Sequence, residues 1–268
     1  MNKKNLYKLF FKDYFKEEEN GFNFNHVLSN NAPDENAQKA IISRNDEIKN
    51  VEFKEIPALP IVDNKESIHF KILYPGLLTG IGLVHDSKKL DGAYNLGMHF
   101  DYTWGMPIVY GSSVKGVLRE YFKEFYEGDL DVDDLVQDIF SGKVRNTEKD
   151  KYDDKGKLLV KGYDNKSIYN RDIFFDAVIK SPFRNDKNQD IFLVDDSITP
   201  HTEGPLKNPT PIKMLKIAPG CKIEFRFQLK DSKGFSKKDK LEIFKKILGT
   251  VGVGAKTNVG YGQLKIEK

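Results

Sequence analysis

The chain has 268 residues, 39% hydrophobic and 31% charged, with a formal net charge of +3, which suits a soluble globular protein of one large domain or one domain with extensions. No apolar run approaches the roughly 20 residues of a membrane span, and Met1–Leu6 lacks the apolar stretch of a secretory leader, so no membrane partner and a cytoplasmic location are expected. A single cysteine, Cys221, excludes an intramolecular disulfide and any cysteine-based zinc site and reads as a small apolar residue entering a strand.

Near the N-terminus Leu6, Leu9, Phe10 and Tyr14 recur close to helical spacing, and a second helical stretch is expected from Pro33 to Ile42. Residues 1–62 thus read as a helical extension, and 63–268 as the main domain. Ile68, Phe70, Ile72 and Tyr74 alternate, which predicts a strand that stops at Pro75. A long Gly-punctuated connection, 77–111, follows. Ser112 is then expected to cap a helix carrying Val114, Val117, Leu118, Tyr121, Phe122 and Phe125. Residues 127–138 hold six acidic side chains and no basic one. With the polar stretch to about 170 they read as a surface insertion from about 129. Asp172–Ile179 has strand character, the prolines between 195 and 211 predict a projecting loop, and Ile223, Phe225, Phe227 and Leu229 alternate as a strand. A last helix is expected from a Ser236 cap to Leu248, with Leu241, Phe244, Ile247 and Leu248 facing the core. A last strand follows over 261–268. The order strand, helix, strand, strand, helix, strand predicts an α+β, ferredoxin-like (RRM-like) antiparallel sheet with two packed helices, the plan that RNA-recognition modules also use.

Charge is uneven along the chain. From Pro205 to Lys268 there are fifteen Lys or Arg and five Asp or Glu, a net +10 against −7 for the remainder. A positive field of that kind suits phosphates, although a solvated surface has the same composition. Within this stretch Gly249–Gly262 holds five glycines and Lys256, so backbone amides can approach an anion closely beside a point charge. A nucleotide P-loop fails on register, because Ala255 separates Gly254 from Lys256, and on context, because a helix precedes and a strand follows.

Val253–Leu264 resembles the C-terminal Gly-rich loop of the RAMP superfamily, the repeat-associated mysterious proteins of CRISPR systems. Pro107–Arg119 resembles that superfamily's second signature. Leu78–Leu83, Ile173–Ala177, Thr199–His201 and Pro209–Leu215 continue the likeness. Together they look most like the sixth subunit of the Cmr (type III-B) effector module. The resemblance implies a non-catalytic, RNA-binding subunit of antiviral defence that holds guide RNA and the guide-target duplex beside other RAMP subunits, with no cofactor. RNA-binding candidates are Ser112, Ser113, Lys115 and Arg119 at the helix start, Gly252, Gly254, Lys256, Thr257, Asn258, Gly260 and Tyr261 in the loop, and His201 in the projecting loop.

Other residues offer different chemistry. His26, His69, His85, His99 and His201 lack metal-ligand spacing, so no metal site is expected. His69 is expected on the polar side of its strand. His85 or His201 as a general base would make the chain a RAMP-type endoribonuclease, the main rival, and a protein-only scaffold is the second. Asp86, Asp91 and Asp101 read as turn or solvated carboxylates. Tyr102 and Trp104 offer faces for bases, or pin their loop to the core.

Overall fold

The computed structural model describes residues 4–16, 35–55, 66–80, 82, 85, 92–95, 97–199 and 211–267. Asn5 accepts from the Lys8 amide at 3.0 Å and caps α1 (Leu6–Phe11), whose Leu6, Leu9 and Phe10 are buried. Tyr14 follows the helix and is buried with them. The second helix, α2 (Glu35–Lys49), runs about two turns beyond the expected end and buries Ala37, Ile41 and Ile48. Both helices join the same buried cluster as the main sheet.

β1 (Glu66–Ile72) alternates as its pattern predicts, with Ile68, Phe70 and Ile72 buried and His69 and Lys71 exposed. Tyr74, expected on the buried face, lies past the strand end and is 85% exposed. A short strand, β2 (Ile108–Val109), leads into α3 (Gly111–Phe125), which buries Val114, Leu118 and Phe122. Residues 127–142 depart from the polar surface expected of them. Asp131 accepts from the Asp133 and Asp134 amides and caps α4 (Val132–Ser141), which ends at Gly142 in the left-handed region. Its Leu135, Val136, Ile139 and Phe140 enter the core, while Asp133 and Asp134 occupy its N-terminal turn.

Small two-stranded pieces follow: β3 (Lys143–Arg145) with β6 (Tyr163–Asn165), and β4 (Lys151–Tyr152) with β5 (Leu158–Val160). The apolar run from Ile173 divides into β7 (Ile173–Phe174) and β8 (Ala177–Ser181). β9 (Phe183–Arg184) pairs β10 (Asp190–Ile191). The projecting loop expected over 195–211 is in part a hairpin. β11 (Leu193–Ile198) pairs antiparallel with β12 (Ile212–Ile217) from Leu193↔Ile217 to Ile198↔Ile212, and residues 200–210 lie outside the described residues. β13 (Lys222–Gln228) and β14 (Leu264–Ile266) flank α5 (Lys237–Val251), which opens on a capping box between Ser236 and Asp239.

The main sheet has the order β14-β1-β13-β8-β2, all pairs antiparallel, with β7 also pairing β13. Helices α3, α4 and α5 share a core of ring contacts with it. Phe227 and Phe174 meet Phe244 at 5.4 and 5.8 Å between centroids, Phe140 meets Phe174 at 5.6 Å, and Phe122 meets Phe140 at 5.6 Å. No helix among the described residues is long and apolar enough to cross a membrane.

One charged pair lies inside this core. Lys240 of α5 and Asp172 both have fully buried side chains, with Nζ 2.7 Å from Oδ2. Lys240 also donates to the Lys230 carbonyl at 2.7 Å, and Asp172 accepts the Lys230 amide at 2.6 Å. Burial pushes the Asp172 carboxyl up even against this lysine. Removing one partner strands the other charge. Asp172→Ala is therefore expected to lower unfolding stability by about 3–5 kcal/mol. The double variant Asp172→Ala with Lys240→Met should recover most of that loss, as read by urea midpoints.

Candidate nucleic-acid interface

The helix start at Gly111 is built differently from the expected serine cap. Tyr110 is the N-cap residue and gives no side-chain bond. The carboxylate of Asp176 instead accepts the Gly111 amide at 2.7 Å, reaching from the link between β7 and β8. Gly111 is required there, since a Cβ would collide with the Phe174 carbonyl oxygen. Two of the segments that carry the family likeness thus meet at one hydrogen bond. An acidic group already sits at the positive end of the helix, where a phosphate would otherwise bind. Ser112 and Ser113 are exposed beside it, with the Ser113 amide bonded to the Tyr110 carbonyl. Lys115 is half-buried, its Nζ 5.8 Å from the Phe174 ring centroid, and Arg119 is exposed one turn on.

The Gly-rich loop is also shaped by chain-on-chain contact. Gly252 is buried and its amide donates to the Leu248 carbonyl at 3.1 Å, so it ends α5 and is out of reach of a ligand. Gly254 has φ +93°, and a Cβ there would collide with the Leu78 carbonyl oxygen. The Ala255 amide donates to that same carbonyl at 2.9 Å. Lys256 then adopts φ +59°, Thr257–Val259 make a single 3-10 turn, and Gly260 closes it. Asn258 and Val259 are exposed at the tip, with Lys256, Thr257 and Gly260 half-buried below. Tyr261 is tied down. Its hydroxyl donates to Asp196 Oδ2 at 2.7 Å, Lys216 Nζ sits 5.5 Å from its ring centroid, and Lys216 pairs with Asp196 at 2.5 Å. Burial and Asp196 push its phenol up to about 12. Tyr261 belongs to a small apolar cluster with Leu78, Ala255, Ile198, Ile212 and Met214, and one ring face is already occupied.

The two motifs lie at opposite edges of the sheet. β2 runs directly into α3, whereas the Gly-rich loop runs into β14. Four interstrand steps at about 4.8 Å place those edges about 19 Å apart. One phosphate cannot touch both, so any shared ligand is a run of several nucleotides.

Residues 69–265 match the RAMP superfamily. The chain belongs to that superfamily. It is similar to a cryo-EM structure of the type III-B Cmr-beta bound to cognate target RNA, at 20% identity and a TM-score of 0.48. That match covers 75% of this chain and 58% of the other, so this chain spans little more than half of its length. It is also similar to the crystal structure of Cmr6 from Pyrococcus furiosus, at 18% identity and a TM-score of 0.38, over 77% of this chain and 100% of that one. No curated protein matches it.

Among the described residues, the candidate acid-base groups of this RAMP protein already have partners within the fold. His85 is buried, stacked on Tyr14 at 4.4 Å and 8°, with Nδ1 2.7 Å from the Tyr94 carbonyl and Nε2 3.0 Å from the Phe10 carbonyl. Burial holds its pKa below the ordinary value. Both ring nitrogens thus lie against backbone carbonyls. His99 stacks on Tyr110 at 4.3 Å, and burial lowers it too. His69 is on the polar face as expected, 3.5 Å from Glu224. Asp101 accepts the Trp104 amide and shapes a turn. Trp104 packs on the core and Tyr102 lies edge-on to Tyr7, 69% exposed. His26, Asp86, Asp91 and His201 lie outside the described residues. Among the described residues no three His, Cys, Asp or Glu side chains converge as metal ligands. Sequence reasoning missed Asp176, Asp196 and Lys216, whose roles depend on partners 65, 65 and 20 residues away.

The Gly-rich loop separates shape from charge. Gly254→Ala forces both a left-handed backbone and a backbone collision, so a stability loss of about 2 kcal/mol or more is expected. Lys256→Ala should leave the melting temperature within about 2 °C of the parent. Thermal unfolding of the two variants side by side checks this.

Proposed function

We propose that this RAMP protein is a non-catalytic subunit of a type III-B (Cmr) CRISPR effector complex that holds guide RNA, and the guide-target duplex, beside other RAMP subunits in the cytoplasm. The reading is carried by the outward groups left at the two signature motifs once the internal contacts are made. Ser112, Ser113 and Arg119 stand at one edge, and Lys256, Thr257 and Asn258 at the other. These are hydroxyl, amide and cationic groups, which suit phosphate and sugar contacts that position a strand without reading its sequence. A subunit handling many different guides needs that property. The strand order β14-β1-β13-β8 supports a ferredoxin-like plan for residues 63–268, with residues 1–62 as an extension sharing its core. The engagement of His85 by two backbone carbonyls favours a holding role over the endoribonuclease reading.

A protein-only scaffold is the second reading, favoured by β5. Its Leu158, Leu159 and Val160 are 38, 61 and 55% exposed on a two-stranded hairpin. Titration of the purified chain with labelled guide-like RNA at rising salt distinguishes the two. Affinity should fall linearly on a log-log plot, and Arg119→Ala with Lys256→Ala should lower it on the order of tenfold. Binding indifferent to salt would argue for the scaffold. Clean RNA fragments in metal-free buffer would argue for the nuclease.

A further inference from the structure

The open face of the sheet carries a row of lysines outside both signature motifs. Alternation in β1 turns Ile68, Phe70 and Ile72 into the core and leaves Ser67, His69 and Lys71 on the opposite face. The strand register sets Lys71 directly across from Lys222 of β13 on one side and from Lys265 of β14 on the other. All three are exposed. Lys222 is 2.8 Å from Glu267, whereas Lys71 and Lys265 make no ion pair with the described residues. Further across, Glu224 and Arg226 are buried, so the open ground is the half of the face under β14 and β1.

Like charges set directly opposite each other in a sheet oppose folding. Three in one line, two of them without a carboxylate, mark a place where an external anion improves the local electrostatics. Two neighbours indicate which anion. Tyr74, two residues beyond β1, is 85% exposed. The adjoining Pro75 borders Gly260, so the exposed tip of the Gly-rich loop stands next to it. A line of cations at interstrand spacing, with an exposed aromatic ring three residues along the chain from Lys71, is the chemistry of single-strand binding, with backbone phosphates held by charge and a base stacked on the ring. An acidic protein surface could use the lysines and the tyrosine too, but the place of Pro75 against the Gly-rich tip, read above as an RNA contact, favours a nucleic-acid strand.

We propose that Lys265, Lys71 and Lys222, with Tyr74 just past the end of β1, form a track for a single-stranded stretch of RNA that crosses the sheet strands and continues from the Gly-rich loop. This rests on the RNA-holding reading above and extends its contact surface onto the sheet.

The test uses the full-length chain and a labelled single-stranded RNA of mixed sequence, titrated from about 50 to 200 mM salt. Lys71→Gln with Lys265→Gln should weaken binding on the order of tenfold at the low-salt end and flatten the log-log salt slope by about 1.4, two phosphate contacts' worth for a single strand. The same variant should melt no lower than the parent, because it removes cross-strand repulsion; the edge substitution Lys265→Gln alone, with half the effect on slope, serves if the pair perturbs folding. Tyr74→Ala should weaken binding with the slope unchanged. Lys155→Gln with Lys157→Gln removes equal charge from the β4–β5 hairpin and should leave the slope as it was. An unchanged slope in the Lys71 and Lys265 variant, or equal flattening by both double variants, overturns the track while leaving RNA holding intact. Loss of association with a protein partner at unchanged RNA affinity also overturns it. A parent chain that binds no RNA ends both readings.

Discussion

The chain passes itself at close range where residues 76–78 meet the loop from 253 to 262, and most of the candidate interface is arranged by that crossing. Leu77 exchanges both backbone hydrogen bonds with Ile217, at 2.9 and 3.0 Å, which anchors the β11–β12 hairpin. Leu78 accepts from Ala255, Gly76 accepts from Gly262 at 2.8 Å, and Val253 donates back to Gly262 at 3.0 Å. Three segments far apart in sequence are therefore locked by main-chain groups, which side-chain changes do not loosen. Glycine is needed because carbonyl oxygens occupy the space of a Cβ. Of the amides in the glycine-rich stretch, those of Ala255 and Gly262 are spent on this crossing, and those of Gly252, Val253, Val259, Gly260 and Tyr261 on bonds to α5 or within the loop. What remains for a ligand is the turn that overhangs it.

That outcome separates what was legible from what was not. The strand pattern of β1, the stripe of α3 and the capping box of α5 follow from local periodicity and local hydrogen bonds, and the structure has all three. Helix α4 was hidden because Asp133, Asp134 and Asp138 interleave with Leu135, Val136, Ile139 and Phe140, and a high acidic count suggests surface. Those acids pair with Lys123, Lys161 and Lys166, and Asp131 caps the helix, so the apolar face is free to be buried. The β11–β12 hairpin was hidden by the prolines that the sequence carries between its two strands. At the candidate interface both signature motifs were found from their residues, but the work of their glycines was not. Gly111 and Gly254 answer to carbonyls of Phe174 and Leu78, which no local window contains.

The same limit applies to charge. The net +10 of residues 205–268 pointed to phosphate, yet charge counted along a chain is blind to where each group ends up. Lys240 is inside the core on Asp172, Arg226 is buried with its guanidinium 3.0 Å from the Asp176 carbonyl, and Lys216 closes on Asp196. Lys237 pairs with Glu66, and Lys213 with Asp195. Lys240, Arg226 and Lys216 are thereby committed to the fold, whereas Lys213 and Lys237, at the surface, are partly compensated.

The useful quantity is the charge left exposed and uncompensated after the fold has taken its share, and by that measure the positive field falls to Lys233, Lys238 and Lys246 in and beside α5, to the Gly-rich turn and to the sheet face. Lys256 and Lys265 keep no carboxylate among the described residues, and β1 adds Lys71, a residue that the basic segment does not even include. Strand pairing, rather than sequence proximity, brings Lys71 between Lys222 and Lys265. The negative N-terminal part and the positive C-terminal part are thus not two electrostatic regions of the molecule. Carboxylates from the first, Asp172, Asp176 and Asp196 among them, neutralise the interior and the helix start, and the surplus cations of the second are left on α5, the Gly-rich turn and the sheet face.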